Sequence, residues 1–192
     1  MIFAVVIVAL SGIATYSADI SRFASLDVSK VLSGEVWRLL SGNLTHLTWR
    51  QYAMDSISFL MLYYKLLTCI GSKKAATSVL LSGAVVSAAV VFTKVHMICG
   101  GMSGISCAVV SLIVADVLQK EPKNIKAYFI AVAFICYLGF GEDFSSGVNV
   151  AKEAHIAGAF FGLALGLLFR IDRKAPSPQP CFNRMPKISH QI

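Results

Sequence analysis

Residues 154–170, AHIAGAFFGLALGLLFR, form an apolar stretch with one histidine and three glycines at spacings of three, four and four. At about 100° per residue, His155, Gly158, Gly162 and Gly166 fall on one stripe of a helix. Such stripes of small residues let helix backbones approach each other closely in lipid. The stretch therefore predicts a membrane-spanning helix that packs tightly against a neighbouring helix.

The composition indicates a chain that lies in lipid rather than in water. Hydrophobic residues make up 56% of the 192 residues and charged residues 14%, with a mean hydropathy of +0.71. Soluble domains usually carry about 25% charged residues. Five further apolar stretches without internal proline cover roughly residues 2–18, 52–70, 75–93, 102–118 and 125–141. Because lipid offers the backbone no hydrogen-bond partner, the sequence predicts an all-α membrane protein with six spanning helices.

The segments outside these stretches predict how the chain is divided. Residues 19–51 are too polar to span a membrane but carry clustered Leu and two tryptophans, which predicts short amphipathic helices in the outer interface. The tail from Asp172 onward contains APSPQP and is predicted to be disordered. We therefore expect a membrane domain over residues 1–171 and a cytoplasmic tail over 172–192. The first stretch is interpreted as a retained helix, because it lacks the basic start of a signal peptide.

Basic residues give the expected orientation and narrow the range of partners. With both termini inside, ten Lys and Arg residues lie on the cytoplasmic side and six on the outer side, as the positive-inside rule favours. The net charge of +7 is spread over the flanks of membrane helices and does not indicate a nucleic-acid partner. The five cysteines show no C-x-x-C spacing, so neither a metal site nor a disulfide framework is expected, and no cofactor is predicted.

Residues 99–107, CGGMSGISC, place Ser103 in a glycine-rich turn at the outer start of the fourth stretch. His155 lies near the outer start of the sixth stretch, so both side chains are expected at a similar depth. Taken singly, Ser103 is interpreted as a helix cap and His155 as an interface histidine. Together they favour catalysis, because a serine becomes a useful nucleophile beside a base and histidine is the usual one. The glycines leave backbone N–H groups free to face a reacting carbonyl, and the helix dipole favours negative charge at Ser103.

Four motifs resemble the signatures of the rhomboid intramembrane serine proteases, and they occur along the chain in the same order as in that family. GMSG at 101–104 is similar to the family's G-x-S-G, and AHIAGAFFG at 154–162 to its A-H-x-x-G-x-x-x-G. EVWR at 35–38 resembles the W-R element of the first loop, and LTHL at 44–47 the histidine-containing segment before the second helix. The resemblance covers roughly residues 30–170. It implies a six-helix rhomboid-like bundle with an interfacial loop between helices 1 and 2, and a serine endopeptidase.

Carried over by position, the resemblance makes Ser103 the nucleophile and His155 the general base of a Ser-His dyad. The Ser103 N–H would supply part of the oxyanion hole, and the family's two further donors align with Gln51 and Asp55. Gln51 can donate through its amide. For Asp55 two interpretations stay open: a neutral acid that donates to the oxyanion, or an ionised side chain that orients a neighbour. The resemblance gives structural or gating roles to His46, Trp37, Arg38, Gly101, Gly104, Gly158 and Gly162.

Within the family, GEVWRLLSGNLTHLTWRQYAMD and the short chain look most like the rhombosortase branch. That resemblance implies single-span, membrane-anchored substrates with a C-terminal Gly-Gly, an anchor and a basic end. It also implies a bacterial inner membrane, with the active site toward the periplasm. Two other functions stay open: an inactive relative that binds membrane clients, and a small transporter that uses Asp55, Lys65 and Asp116.

Overall fold

A computed structural model describes residues 1–94, 96–140 and 151–171. For residues 135–140, 170 and 171 it describes the backbone only. Within these residues the chain is helical, with a single two-strand ladder. The helices are α1 (Ile2–Tyr16), α2 (Ala18–Ala24), α3 (Val28–Leu32), α4 (Arg38–Ser41), α5 (Trp49–Ile70), α6 (Ser72–Thr93), α7 (Ser103–Lys120), α8 (Ile125–Phe140) and α9 (Lys152–Ile171). The strands are β1 (Leu26–Asp27) and β2 (Ile98–Cys99). The predicted disordered tail, residues 172–192, lies outside the described residues.

Four of the described helices are long and apolar enough to cross a membrane: α5, α6, α7 and α9. A fifth candidate is the pair α1 and α2, which bends by 112° at Ser17. The described apolar part of α8, Ile125–Phe134, is shorter. The six predicted stretches thus correspond to four spanning helices, one bent pair and one shorter helix. The chain is an all-α integral membrane protein.

The predicted short helices between α1 and α5 are present as α2, α3 and α4, and a 3₁₀ turn over Gly42–Leu44 follows. Arg38 holds this region together, because its side chain is only 2% exposed and its guanidinium reaches three acceptors. Its Nε donates to Glu35 Oε2 at 2.6 Å, and its Nη1 donates to the carbonyls of Arg22 and Ser25 at 3.1 and 2.7 Å. Arg38 is therefore a structural residue.

The ladder that joins β1 to β2 was not predicted from the sequence. Leu26 pairs with Cys99 and Asp27 with Ile98 in antiparallel register. The ladder attaches the region after α2 to the segment that runs into Gly100 and Gly101. The residues between α2 and α3 and the turn before α7 are thereby held side by side.

The tightest packing in the described chain is between α7 and α9, where the predicted small-residue stripe faces a neighbouring helix. A Cβ added to Gly158 would meet the carbonyl oxygen of Gly104, and one added to Gly162 would meet that of Ala108, closer than real Cβ contacts allow. At Gly166 a Cβ would lie 2.6 Å from Ala115 Cβ. The two backbones are therefore in contact along the stripe, as expected for small residues in lipid.

Candidate active site

Ser103 is the first residue of α7 and follows a turn that requires glycine. Gly101 has a φ of +129°, which L side chains rarely adopt, and a Cβ there would lie 2.7 Å from Gln51 Nε2. Met102, the residue between them, is completely buried. As the first residue of a helix, Ser103 has a backbone N–H without an intrahelical acceptor. The turn therefore presents a hydroxyl and a free N–H donor at the same point.

His155 reaches Ser103 from the first turn of α9. Its Nε2 lies 2.8 Å from Ser103 Oγ, although the two residues are 52 positions apart. The imidazole is 7% exposed. Gly158, one turn after His155 on α9, contacts the carbonyl oxygen of Gly104, the residue after Ser103, and this close approach brings the two side chains to this distance. This geometry meets the requirement for a serine hydroxyl that passes its proton to a base.

The two side chains line a cavity of about 50 Å³. Six small residues in its lining leave room next to the serine: Gly42, Gly100, Gly101, Gly104, Ala151 and Ala154. Gln51 and Asn43 also line it. The cavity has space for a few water-sized groups and no more.

Gln51 lies beside the Gly101 turn with its amide fixed at both ends. Its Oε1 accepts the N–H of Leu47 at 3.1 Å, and its Nε2 donates to the carbonyl of Gly100 at 3.2 Å. A primary amide carries two N–H donors. One of them is engaged with Gly100, so the second is the group that Gln51 offers to the cavity.

Asp55 lies behind the turn and is not among the residues that line the cavity. Its Oδ2 accepts the N–H of Met102 at 3.1 Å. The same oxygen lies 3.1 Å from Nε2 of His46. The structure thus places Gln51 at the cavity and Asp55 against the backbone of the turn, one helical turn further along α5.

His46 is buried between α1 and α5. Its Nδ1 lies 3.2 Å from Ser11 Oγ and 3.4 Å from Thr15 Oγ1, and its ring meets Tyr52 edge-on. Neither Ser11 nor Thr15 was predicted from the sequence to belong to the site. Their spacing of four on an apolar helix is the signal that could have identified them, because it puts two hydroxyls on one face.

Asn43 is a second residue that sequence reasoning missed. It is 5% exposed, and its Nδ2 lies 3.2 Å from the carbonyl of Gly83 and 3.1 Å from Ser87 Oγ, both on α6. Asn43 thus fixes the 3₁₀ turn to α6 beside the cavity. Trp37, by contrast, is 43% exposed and stacks on Phe23 away from Ser103.

Cys99 is the other potential nucleophile that lines the cavity. Burial, with a smaller contribution from the charge of Glu153, raises the pKa of its thiol to about 11. Because the thiolate is the reactive form, Cys99 is expected to react only slowly near neutral pH. Among the described residues, no three His, Cys, Asp or Glu side chains lie close enough together to hold a metal ion.

Comparison with known families gives one match. The rhomboid domain family model matches residues 33–171, well over half of the chain. No curated protein matches the sequence significantly. The matched region contains the Gly101–Ser103 turn, His155 and the α7–α9 packing described above. The chain belongs to the rhomboid family.

Proposed function

We propose that this rhomboid is an active intramembrane serine protease with Ser103 as the nucleophile and His155 as the general base. The observation that carries the proposal is the 2.8 Å distance between His155 Nε2 and Ser103 Oγ. The buried position of His155, which is 7% exposed, supports it, because the surrounding residues hold the imidazole against the hydroxyl. Ser103 has a base in contact with its hydroxyl, whereas the pKa of the Cys99 thiol, about 11, leaves little of the reactive thiolate at neutral pH.

The mechanism follows from the positions of the donors and acceptors. Ser103 Oγ attacks the scissile carbonyl carbon while its proton moves to His155 Nε2. The oxyanion is stabilised by the Ser103 N–H and by the second N–H of Gln51, which lines the cavity. His155 then gives its proton to the departing amine as the C–N bond breaks. Water attacks the acyl-enzyme, the ester bond to Oγ breaks, and the hydroxyl is restored.

We further propose that the substrates are single-span proteins anchored in the same bilayer and cleaved at a C-terminal Gly-Gly, as the rhombosortase resemblance implies. The small cavity supports this choice. Its volume of about 50 Å³ and its glycine and alanine lining suit residues without side chains next to the cleaved bond.

The proposed setting is a bacterial inner membrane with both termini in the cytoplasm and the active site toward the periplasm. The excess of basic residues in the predicted cytoplasmic segments supports this orientation. Residues 1–171 would form the membrane domain and 172–192 the cytoplasmic tail.

The experiment is co-expression with a secreted protein that carries a Gly-Gly-anchored C-terminus, followed by mass spectrometry of the product. Wild type should release a product with a new C-terminus at the Gly-Gly, and Ser103→Ala should release none. Ser106→Ala is the matched control, because it removes a hydroxyl without a hydrogen-bond partner one turn along the same helix. A product whose mass includes an added amine would identify transfer rather than hydrolysis. Release by Ser103→Ala at the wild-type level would refute the proposal.

The inactive client-binding alternative is separated by a fluorophosphonate probe, which labels only an activated serine. Labelling of wild type but not of Ser103→Ala supports the protease. The transporter alternative has less support, because its acidic residues sit in separate places. Asp116 is buried near the far end of α7 and pairs with Lys120, about 20 Å along the helix from Ser103.

A further inference from the structure

We infer that His46 is a doubly protonated imidazolium that forms an ion pair with an ionised Asp55, and that this pair positions the Gly101–Ser103 turn. The inference rests on the proposed protease function. It selects one of the two interpretations of Asp55 that the sequence leaves open. Asp55 is then an acceptor that holds the backbone of the turn, not a neutral acid that donates to the oxyanion.

Nδ1 of His46 faces two hydroxyl groups that donate their hydrogens elsewhere. Ser11 Oγ donates its hydrogen to the carbonyl of Leu44 at 2.8 Å. Thr15 Oγ1 donates its hydrogen to the carbonyl of Ser11 at 2.8 Å. A hydroxyl has one hydrogen, so toward His46 both oxygens are acceptors. The contacts of 3.2 and 3.4 Å at Nδ1 therefore require a proton on that nitrogen.

Nε2 of His46 faces a carboxylate oxygen that also accepts a backbone N–H. Asp55 Oδ2 accepts the N–H of Met102, and the same oxygen faces His46 Nε2 at 3.1 Å. A protonated Oδ2 would donate to Nε2 but would be a poor acceptor for the Met102 N–H, whereas an ionised carboxylate oxygen accepts both bonds with its lone pairs. Nε2 then carries the second proton, and the ring bears a positive charge. Hydrogen bonds between two such charged groups are stronger than neutral ones.

Burial requires that neither charge occurs without the other. The side chain of His46 is fully buried and that of Asp55 is 15% exposed. A single charge at either position would be left uncompensated, which is strongly unfavourable in a protein interior. The other titratable groups near the pair are Tyr52 on α5, Cys107 on α7 and His155 on α9.

The consequence for catalysis lies in what Asp55 holds. Met102 is completely buried and immediately precedes Ser103, so its N–H fixes the direction in which the serine leaves the turn. His46 fixes Asp55 from the other side, and α1 fixes His46. Both are positioning residues, which act on Ser103 through the backbone. Because the pair is neutral as a whole, it does not oppose the negative charge that develops near the Ser103 N–H.

The direct test is ¹⁵N NMR of histidine-labelled protein in detergent micelles at pH 7. The chain has four histidines, so the spectrum is simple, and the His46 signals are assigned by their loss in His46→Asn. We expect both ring nitrogens of His46 to show the shifts of protonated imidazolium nitrogens. In Asp55→Asn one of them should become unprotonated. A neutral His46 ring in the wild-type protein would overturn the inference.

The functional test compares fluorophosphonate labelling rates of wild type, Asp55→Asn and Asp55→Ala. Removal of the carboxylate charge should misplace the turn, and a displacement near 1 Å costs about 100-fold in rate. Both variants should therefore lose labelling rate at saturating probe, with little change in the probe concentration needed for half saturation. If Asp55 were instead a neutral donor, Asn would keep the donor and label at the wild-type rate or faster, which would overturn the inference.

A double-mutant cycle separates this effect from general destabilisation. His46→Ala should cost labelling rate in the wild-type background but less than about threefold in the Asp55→Ala background, because the pair acts as one unit. Full additivity would overturn the inference. Failure of the proposed function looks different, since wild type itself would then not be labelled at Ser103. If His46→Asn does not fold, the variants His96→Asn, His155→Asn and His190→Asn identify the other three histidines, and the remaining wild-type signals are those of His46.

Discussion

Gly162 of α9 lies directly against the carbonyl oxygen of Ala108 on α7. The contact is between two backbones, with no side chain in between to absorb a change. Seven residues earlier on α9, His155 meets Ser103 at 2.8 Å. The distance between base and nucleophile thus depends on how closely these two helices approach.

Gly162→Val should reduce activity through packing alone. A branched side chain would push α9 away from α7, and a displacement near 1 Å costs about 100-fold in rate. The measurement is the fluorophosphonate labelling rate, together with the melting temperature. Ala164→Val, at an exposed position on the same helix, is the matched control and should change neither. Wild-type labelling and an unchanged melting temperature for Gly162→Val would contradict the packing.

Gly101→Ala should reduce the reaction rate more than its effect on stability explains. The new Cβ would lie 2.7 Å from Gln51 Nε2 in a backbone conformation with φ of +129°. Gly34→Ala is a sharp control, because Gly34 has a φ of +107° but no atom near its would-be Cβ. Both variants should lose about 1 kcal/mol or more of stability through backbone strain. Only Gly101→Ala should lose about 100-fold in labelling rate; equal labelling of the two variants would argue against a fixed turn.

Arg38→Lys should destabilise the protein although it keeps the charge. A lysine ammonium cannot reach Glu35 and both carbonyl acceptors with the fixed geometry of the guanidinium. Each buried acceptor left without a donor costs about 1–3 kcal/mol. Thermal unfolding in micelles measures the loss of stability. Arg22→Lys, at an exposed position on α2, is the control and should leave the melting temperature unchanged. Equal melting temperatures for the two variants would remove Arg38 from its structural role.

Cys99 should react with alkylating reagents slowly at neutral pH and faster as the pH rises. Its pKa of about 11 lies above that of an ordinary thiol, so the thiolate fraction near pH 7 is smaller. The alkylation rate should increase roughly tenfold per pH unit without levelling off near pH 8.5, where a free cysteine does. Peptide-level mass spectrometry at pH 7 to 10 measures this, with the detergent-denatured chain as control. A plateau near pH 8.5 in the folded protein would contradict the burial of Cys99.

The apolar helices and the proximity of Ser103 and His155 leave strong local signals in the sequence. Apolar stretches identify the helices, and the 3-4-4 spacing of His155 and the glycines identifies the face that meets α7. The β1–β2 ladder leaves no such signal, because two residues on each side are too few for an alternating pattern. The sequence also cannot choose between the two states of Asp55. That choice depends on two hydroxyls of α1, which lie more than 30 positions away from His46 in the chain. Both hydroxyls donate their hydrogens to main-chain carbonyls rather than to His46.

The contact of Gly158 and Gly162 with main-chain carbonyls has a consequence for genetics. When a mutation enlarges a side chain, a second mutation that shrinks its neighbour often restores the fit. Here the neighbours are the carbonyl oxygens of Gly104 and Ala108, which every amino acid possesses. No substitution at the contacting positions can make room. A screen for second-site revertants of Gly158 or Gly162 lesions should therefore return true revertants to glycine, and no compensating changes at 104 or 108.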